Sequence, residues 1–373
     1  MKYHRRLLTM TIAFAFTGAC ATDDDEIRDE PAGEQAQALT SCSWGSGDYV
    51  RTGHFNPDTR LDVVSPDGGI LNTYYGGLPV VYVARGVANT WGSSGYTWAA
   101  DFTGDGLTDV VSANGGNVNM KISRGTVFDS ATWLVPNAWG SAGYTFAADF
   151  SGDGLADIAS ANGGVINYHR STGAGFTSAA VGVTDAWGSS GYTFAADFNG
   201  DGRTDIASAS GGNVFMKLST GAGFTSVTWP VANAWGSSGY TFAADFNGDG
   251  RTDIASASGG NVFMKLSNGT SFTSTTWAVA DAWGSSDYTW VADFNGDGLM
   301  DIASASGNSI FMKLSTGTSF TSQTWAINSP WGGSAFSRAG DFTGDGIADI
   351  VTFSGCTVTL HRSTGTAFVT SVF

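Results

Sequence analysis

Between residues 240 and 286 the chain alternates short apolar-rich runs with small clusters of Gly, Asn, Asp and Ser. Residues 240–246 predict a first strand that ends in an acidic loop. Residues 253–258 predict a second, and Gly259-Gly260 turns the chain. Residues 261–267 predict a third strand and 272–279 a fourth, with 280–286 leading onward. Runs this short, bounded by turn residues, suit strands better than helices. The paired small residues Ala147-Ala148, Ala195-Ala196 and Ala243-Ala244 suit first strands packed at a crowded centre.

The pattern repeats. The phrase Asp-Phe-Asn-Gly-Asp-Gly-Arg-Thr-Asp starts at Asp197 and Asp245, with variants at Asp101, Asp149, Asp293 and Asp341 and a degraded copy at His54. Successive starts lie 47 residues apart once and 48 apart five times. A second marker, Trp-Gly with an aromatic five residues after the Trp, keeps the same phase at Trp44, Trp91, Trp139, Trp187, Trp235, Trp283 and Trp331. Four strands per unit of nearly 50 residues is the mark of a propeller blade. The expected fold is all-β: a seven-bladed β-propeller over residues 41–373 with four antiparallel strands per blade. An open β-solenoid is the alternative, but closure at seven would protect the strand edges.

Composition sharpens this picture. The 373 residues include 53 Gly, and 13% are charged, against roughly 25% in typical globular chains. Gly costs about 1 kcal/mol relative to Ala inside a helix, which argues against a helical protein. The formal charge of −16 argues against nucleic acid as a partner, because phosphate needs a basic face. The 42% hydrophobic content is enough for a core and argues against disorder.

The N-terminus reads as an export signal over residues 1–21. Lys2, Arg5 and Arg6 precede an apolar stretch, 7–16, too short to span a membrane. Thr17-Gly18-Ala19-Cys20 resembles a bacterial lipobox, with Cys20 as the lipidated residue and Thr17 where Leu is usual; an A-x-A cleavage site at Ala19-Cys20-Ala21 is the alternative. The chain is expected outside the cell, anchored by lipid or released. Residues 22–40, rich in Asp and Glu, read as an acidic flexible tether.

In the recurring loop, oxygen side chains occupy positions 1, 3, 5 and 9, position 7 can offer its carbonyl, and Gly at position 6 permits a sharp turn. The expected metal ligands are Asp101, Thr103, Asp105, Leu107 and Asp109 in the second unit, and Asp149, Ser151, Asp153, Leu155 and Asp157 in the third. The fourth supplies Asp197, Asn199, Asp201, Arg203 and Asp205, and the fifth Asp245, Asn247, Asp249, Arg251 and Asp253. The sixth supplies Asp293, Asn295, Asp297, Leu299 and Asp301, and the seventh Asp341, Thr343, Asp345, Ile347 and Asp349. Hard oxygens without Cys or His suit calcium, which takes about 6–8 oxygen ligands. About six calcium ions are expected, none in the degraded loop at His54. Asp-Gly turns that only cap strands are the alternative. Residues 36–373 carry a net −13, so six calcium ions would bring them close to neutral.

At these residues the chain resembles the FG-GAP or VCBS repeat family, whose calcium loop is Phe-x-Gly-Asp-Gly-x-x-Asp. The resemblance implies the seven-bladed, calcium-loaded fold of integrin α-subunit heads and of many exported bacterial proteins. The order of motifs, including Phe215-Met216-Lys217-Leu218-Ser219-Thr220-Gly221-Ala222-Gly223-Phe224, is more loosely similar to fungal seven-bladed lectins. Those bind N-acetylglucosamine-terminated glycans between blades, so this resemblance implies a lectin-like module.

Candidate ligand residues are the repeated aromatics Trp91, Tyr96, Trp139, Tyr144, Trp187, Tyr192, Trp235, Tyr240, Trp283 and Tyr288. They could form sugar platforms whose weak sites gain from multivalency, or simply wedge between blades. Glycans or surface glycoconjugates are the expected partners, and a protein ligand is the alternative. No enzyme is expected: after residue 35 there is no Glu, and Asp residues outside the loops lie scattered over separate units. Lys121, Lys217, Lys265, Lys313, His169 and His361 share one repeat position and read as a periodic basic surface set. Cys42 and Cys356 are expected to pair and staple the first unit to the last; two unrelated thiols are the alternative.

Overall fold

The computed structural model describes residues 45–78, 80–327, 331–355 and 357–373. The export signal, tether, Trp44, Cys20, Cys42 and Cys356 lie outside the described residues. The rest forms seven four-stranded sheets, each an antiparallel meander of sequence neighbours. They span residues 51–86, 97–134, 145–182, 193–230, 241–278, 289–326 and 337–372 and are blades one to seven. This is the expected seven-bladed β-propeller.

Blade five shows how the sequence sets its elements. The strands are Thr241–Ala244, Asp253–Ser258, Asn261–Ser267 and Phe272–Ala278. Pairing runs from Thr241 opposite Ser256, through Ser258 opposite Asn261, to Ser267 opposite Phe272. The first strand is shorter than its apolar run. A 3-10 turn, Ser238–Tyr240, precedes it, and Asp245 bends the chain by accepting backbone N–H groups beyond it. Gly259 makes the tight turn with φ +57, a left-handed conformation open to Gly at little cost.

Neighbouring blades share one apolar layer. Between blades four and five, Phe194, Phe198, Val214, Met216 and Trp229 pack against Ala243, Ile254 and Phe272. Small alanines on the first strands let the blades converge. Each blade also bonds to its predecessor: Thr252 N donates to Asp197 O at 2.9 Å, and Ser267 Oγ donates to Phe198 O at 2.6 Å. Closure uses the same backbone link, Leu61 N to Asp341 O at 2.8 Å, with Arg338 adding a bond to Val50 O at 2.9 Å.

Candidate functional site at the blade junctions

From Trp91 onward, each Trp-Gly pair lies on the connection between two blades and is held from both. For Trp235, the indole Nε1 donates to Gly211 O of blade four at 2.8 Å. Gly236 N donates to Ser256 Oγ of blade five at 2.8 Å, and Tyr192 Oη donates to Gly236 O at 2.7 Å. A Cβ on Gly236 would collide with the carbonyl oxygen of Ala257, so only Gly lets the connection approach the second strand so closely. The same indole bond recurs at Trp91, Trp139, Trp187, Trp283 and Trp331.

The proposed ligand aromatics therefore meet in a different pairing from the one the motif suggests. Each Tyr contacts the Trp of the next unit: Tyr96 with Trp139, Tyr144 with Trp187, Tyr192 with Trp235, and Tyr240 with Trp283. Tyr288 likewise meets Trp331. The indoles are half-buried.

The periodic basic set is not on the surface. Lys121, Lys217, Lys265 and Lys313 are 0–1% exposed, and His169 and His361 are buried as well. Each lysine Nζ sits over an indole, 4.6–4.8 Å from the ring centres of Trp91, Trp187, Trp235 and Trp283. That is within cation–π range. His169 and His361 lie 4.9 and 4.8 Å from Trp139 and Trp331. Burial pulls each lysine down to about 8 and each histidine to about 4, because a buried charge loses its hydration. A blade in a ring is covered on both faces, so an alternating strand has no solvent face to give these residues.

A cleft of about 220 Å3 opens at the junction of blades five and six. Ser237 and Tyr240 line it with Ala257, Ser258 and Gly259 of the strand turn, and Trp283 forms its far wall. The sequence pattern points to Tyr240 and Trp283; Ser237 and 257–259 are additional. Their fixed offsets from each Trp, two and 22–24 residues, carry the only signal.

The acidic loops fold onto their own backbone. In the fifth unit, Asp245 accepts from Gly248 N at 2.7 Å and Gly250 N at 2.8 Å. Asn247 accepts from Asp249 N at 2.9 Å, and Asp249 takes Arg251 N and its guanidinium at 3.0 and 2.7 Å. Asp253 is fully buried and accepts from Ser267 N and Phe246 N. Burial, with smaller contributions from Asp245 and Asp249, pushes its carboxyl up to about 7. Asp62 accepts the equivalent two bonds, from Phe55 N and Gly76 N, although the rest of its loop is degraded. The ninth residue thus anchors the blade by itself.

The loop oxygens are of the hard type that calcium takes. Their carboxylates are turned to backbone N–H groups and Arg251, and among the described residues no three acidic, His or Cys side chains converge as a metal-holding group.

The FG-GAP-like repeat profile matches residues 101–160, 149–208, 197–256, 245–304 and 293–352. No curated protein sequence matches the chain. Among solved structures, one with TM-score 0.69 and 20% identity is an Agrocybe aegerita lectin described as specifically recognising non-reducing terminal N-acetylglucosamine. The match covers 87% of this chain and 93% of the lectin. The dihydro-heme d1 dehydrogenase NirN aligns at TM-score 0.50 and 14% identity, over 88% of this chain and 72% of NirN. These likenesses show the fold. Five overlapping matches that run through most of the propeller place the chain in the FG-GAP-like repeat family.

Proposed function

We propose that the chain is a multivalent carbohydrate-binding module and not an enzyme, with sites in the clefts between adjacent blades. The observation that carries this reading is the cleft at Trp283. A half-buried indole stands beside Ser237, Ser258 and Tyr240 and the backbone of a tight turn. That combination offers an apolar face and hydrogen-bonding groups together, which a pyranose ring needs. The specificity of the Agrocybe aegerita lectin for terminal N-acetylglucosamine makes N-acetylhexosamines the first probes. Repetition of the cleft would turn weak single sites into avidity.

Calcium belongs to the same reading as a structural ion in the six complete loops, held by the carboxylates at positions 1, 5 and 9, the side-chain oxygen at position 3 and the backbone carbonyl at position 7. The spacing, the hard donors and the mutual repulsion of the carboxylates support it. Bound calcium would supply local positive charge. Loading requires Asp245, Asp249 and Asp253 and their counterparts to turn from backbone N–H groups towards one another. The N-terminal signal supports display outside the cell as an adhesin.

A glycan array probed with the full chain in calcium tests the function. Binding to glycans with terminal N-acetylhexosamine is expected. A blank array, with capture of a protein partner that free sugar does not compete away, would replace this reading with a protein-interaction module.

A further inference from the structure

The junctions are not equivalent. Trp187, Trp235 and Trp283 are each backed by a lysine of the following blade, Lys217, Lys265 or Lys313. Their preceding blades carry Phe146, Phe194 or Phe242 in the first strand. At Trp139 and Trp331 two positions change together. The lysine is replaced by His169 or His361, and the phenylalanine by Trp98 or Trp290. The spacing between the two exchanged positions is the same in both cases, 71 residues.

The exchange alters what lies against the junction indole. Trp98 approaches Trp139 with ring centres 6.4 Å apart and planes 26° apart. Trp290 approaches Trp331 at 5.6 Å and 33°. Both come from the preceding blade, the side from which the cleft at Trp283 is lined by Tyr240 and the 257–259 turn. Phe146, Phe194 and Phe242 make no such ring contact with their indoles among the described residues. In the lysine junctions the indole is held by the ammonium of the following blade over its ring. Lys217, Lys265 and Lys313 also donate to the carbonyl just before the Trp, each at 3.0 Å. In the histidine junctions the indole meets both the imidazole of the following blade and a second indole of the preceding one.

We propose that sugar binding is confined to the three consecutive lysine-backed junctions at Trp187, Trp235 and Trp283, and that Trp98 and Trp290 close the junctions at Trp139 and Trp331. The junction at Trp91 is also lysine-backed, but Pro66 and Asp67 stand where Ala257 and Ser258 line the Trp283 cleft, positions held by Ala209 and Ser210 at Trp235 and by Ala161 and Asn162 at Trp187, and Arg51 stands at the phenylalanine position. The ring then presents an arc of three adjacent sites instead of a full circle, which orients it on a multivalent glycan. This rests on the carbohydrate-binding reading above.

Isothermal titration of the full chain with N,N′-diacetylchitobiose tests it. Three equivalents per chain are expected. The double exchange Phe242→Trp/Lys313→His should lower this to two, and Trp98→Phe/His169→Lys should raise it to four. Thermal melts confirm that each variant is folded, and the second exchange guards against loss of binding through a damaged core. Six equivalents, or a stoichiometry that neither exchange moves, overturns the assignment while leaving carbohydrate binding intact. No heat with this or any glycan overturns both.

Discussion

Lys265 Nζ lies 4.7 Å from the centre of the Trp235 ring and donates to Ala234 O at 3.0 Å. One buried ammonium thus holds both the indole and the backbone leading into it. Cation–π contact is worth about 0.5–2 kcal/mol, but the burial of the charge opposes it. Lys265→Met keeps the aliphatic stem and removes both effects, so urea melts should show a change within about 1 kcal/mol. Trp235→Ala removes the wedge itself and should cost about 2–4 kcal/mol, near the low end for buried aromatics because this indole is only half-buried.

The tyrosine hydroxyl is a separable link. Tyr192→Phe deletes only the bond to Gly236 O and should lower stability by about 1 kcal/mol. Blade seven already carries Phe336 at this position, so the ring is expected to remain folded, and a melt of the single variant reads the effect directly.

Gly236 is a steric requirement. Its missing Cβ leaves space for the carbonyl of Ala257, which belongs to strand backbone and cannot rotate away. Gly236→Ala should destabilise by more than about 3 kcal/mol. A melt within about 1 kcal/mol of the parent would show that the connection can shift.

His169 and His361 should give the chain an acid-sensitive component. Burial holds each at about 4 instead of the usual 6.5. On acidification the unfolded chain takes up these protons first. Their contribution is therefore full above about 6.5 and is lost as pH falls towards 4. The buried loop aspartates titrate in a similar range with the opposite sign, but a variant comparison cancels them. The melting temperature of the parent minus that of His169→Gln/His361→Gln should become less positive, or more negative, between pH 7 and pH 4.5. A pH-independent difference would contradict this account.

Calcium binding predicts a chelator effect. Six ions bound only by the folded ring would add stability by mass action, so EDTA should lower the melting temperature by more than about 5 °C. Asp245→Asn should weaken calcium uptake in its own loop and leave five. An unchanged melt with EDTA would reduce the loops to strand-capping turns, a role Asp62 already performs in the degraded copy.

Much of the fold was legible because the same signals recur in phase. The second and third strands of blade five match their sequence boundaries, since Asp253 and Gly259-Gly260 fix both ends. The first strand was overextended because its apolar ends, Tyr240 and Phe246, serve the junction and the loop. The site was half legible. Trp283 and Tyr240 stand out as aromatics, but their partnership crosses from one unit to the next and is created only by closure of the ring. Lys217 and its equivalents looked like surface because charge in a strand normally faces water. Here the connection leading into the lysine's own blade supplies an indole in place of water, and no local pattern encodes that.

Blades one and seven meet in a joint unlike the other six. Phe336 has no hydroxyl to reach across to Gly45, and Gly76 has no side chain for Phe342 O, where the other blades use Ser. The backbone bond from Leu61 to Asp341 survives, and Arg338 adds a bond to Val50. The joint that holds both ends of the chain is thus fastened by different groups from the other six, with Tyr74 packed against Phe353 beside the Arg338 bond. It can be weakened alone by substitution, and the three proposed sugar sites lie on the far arc from it.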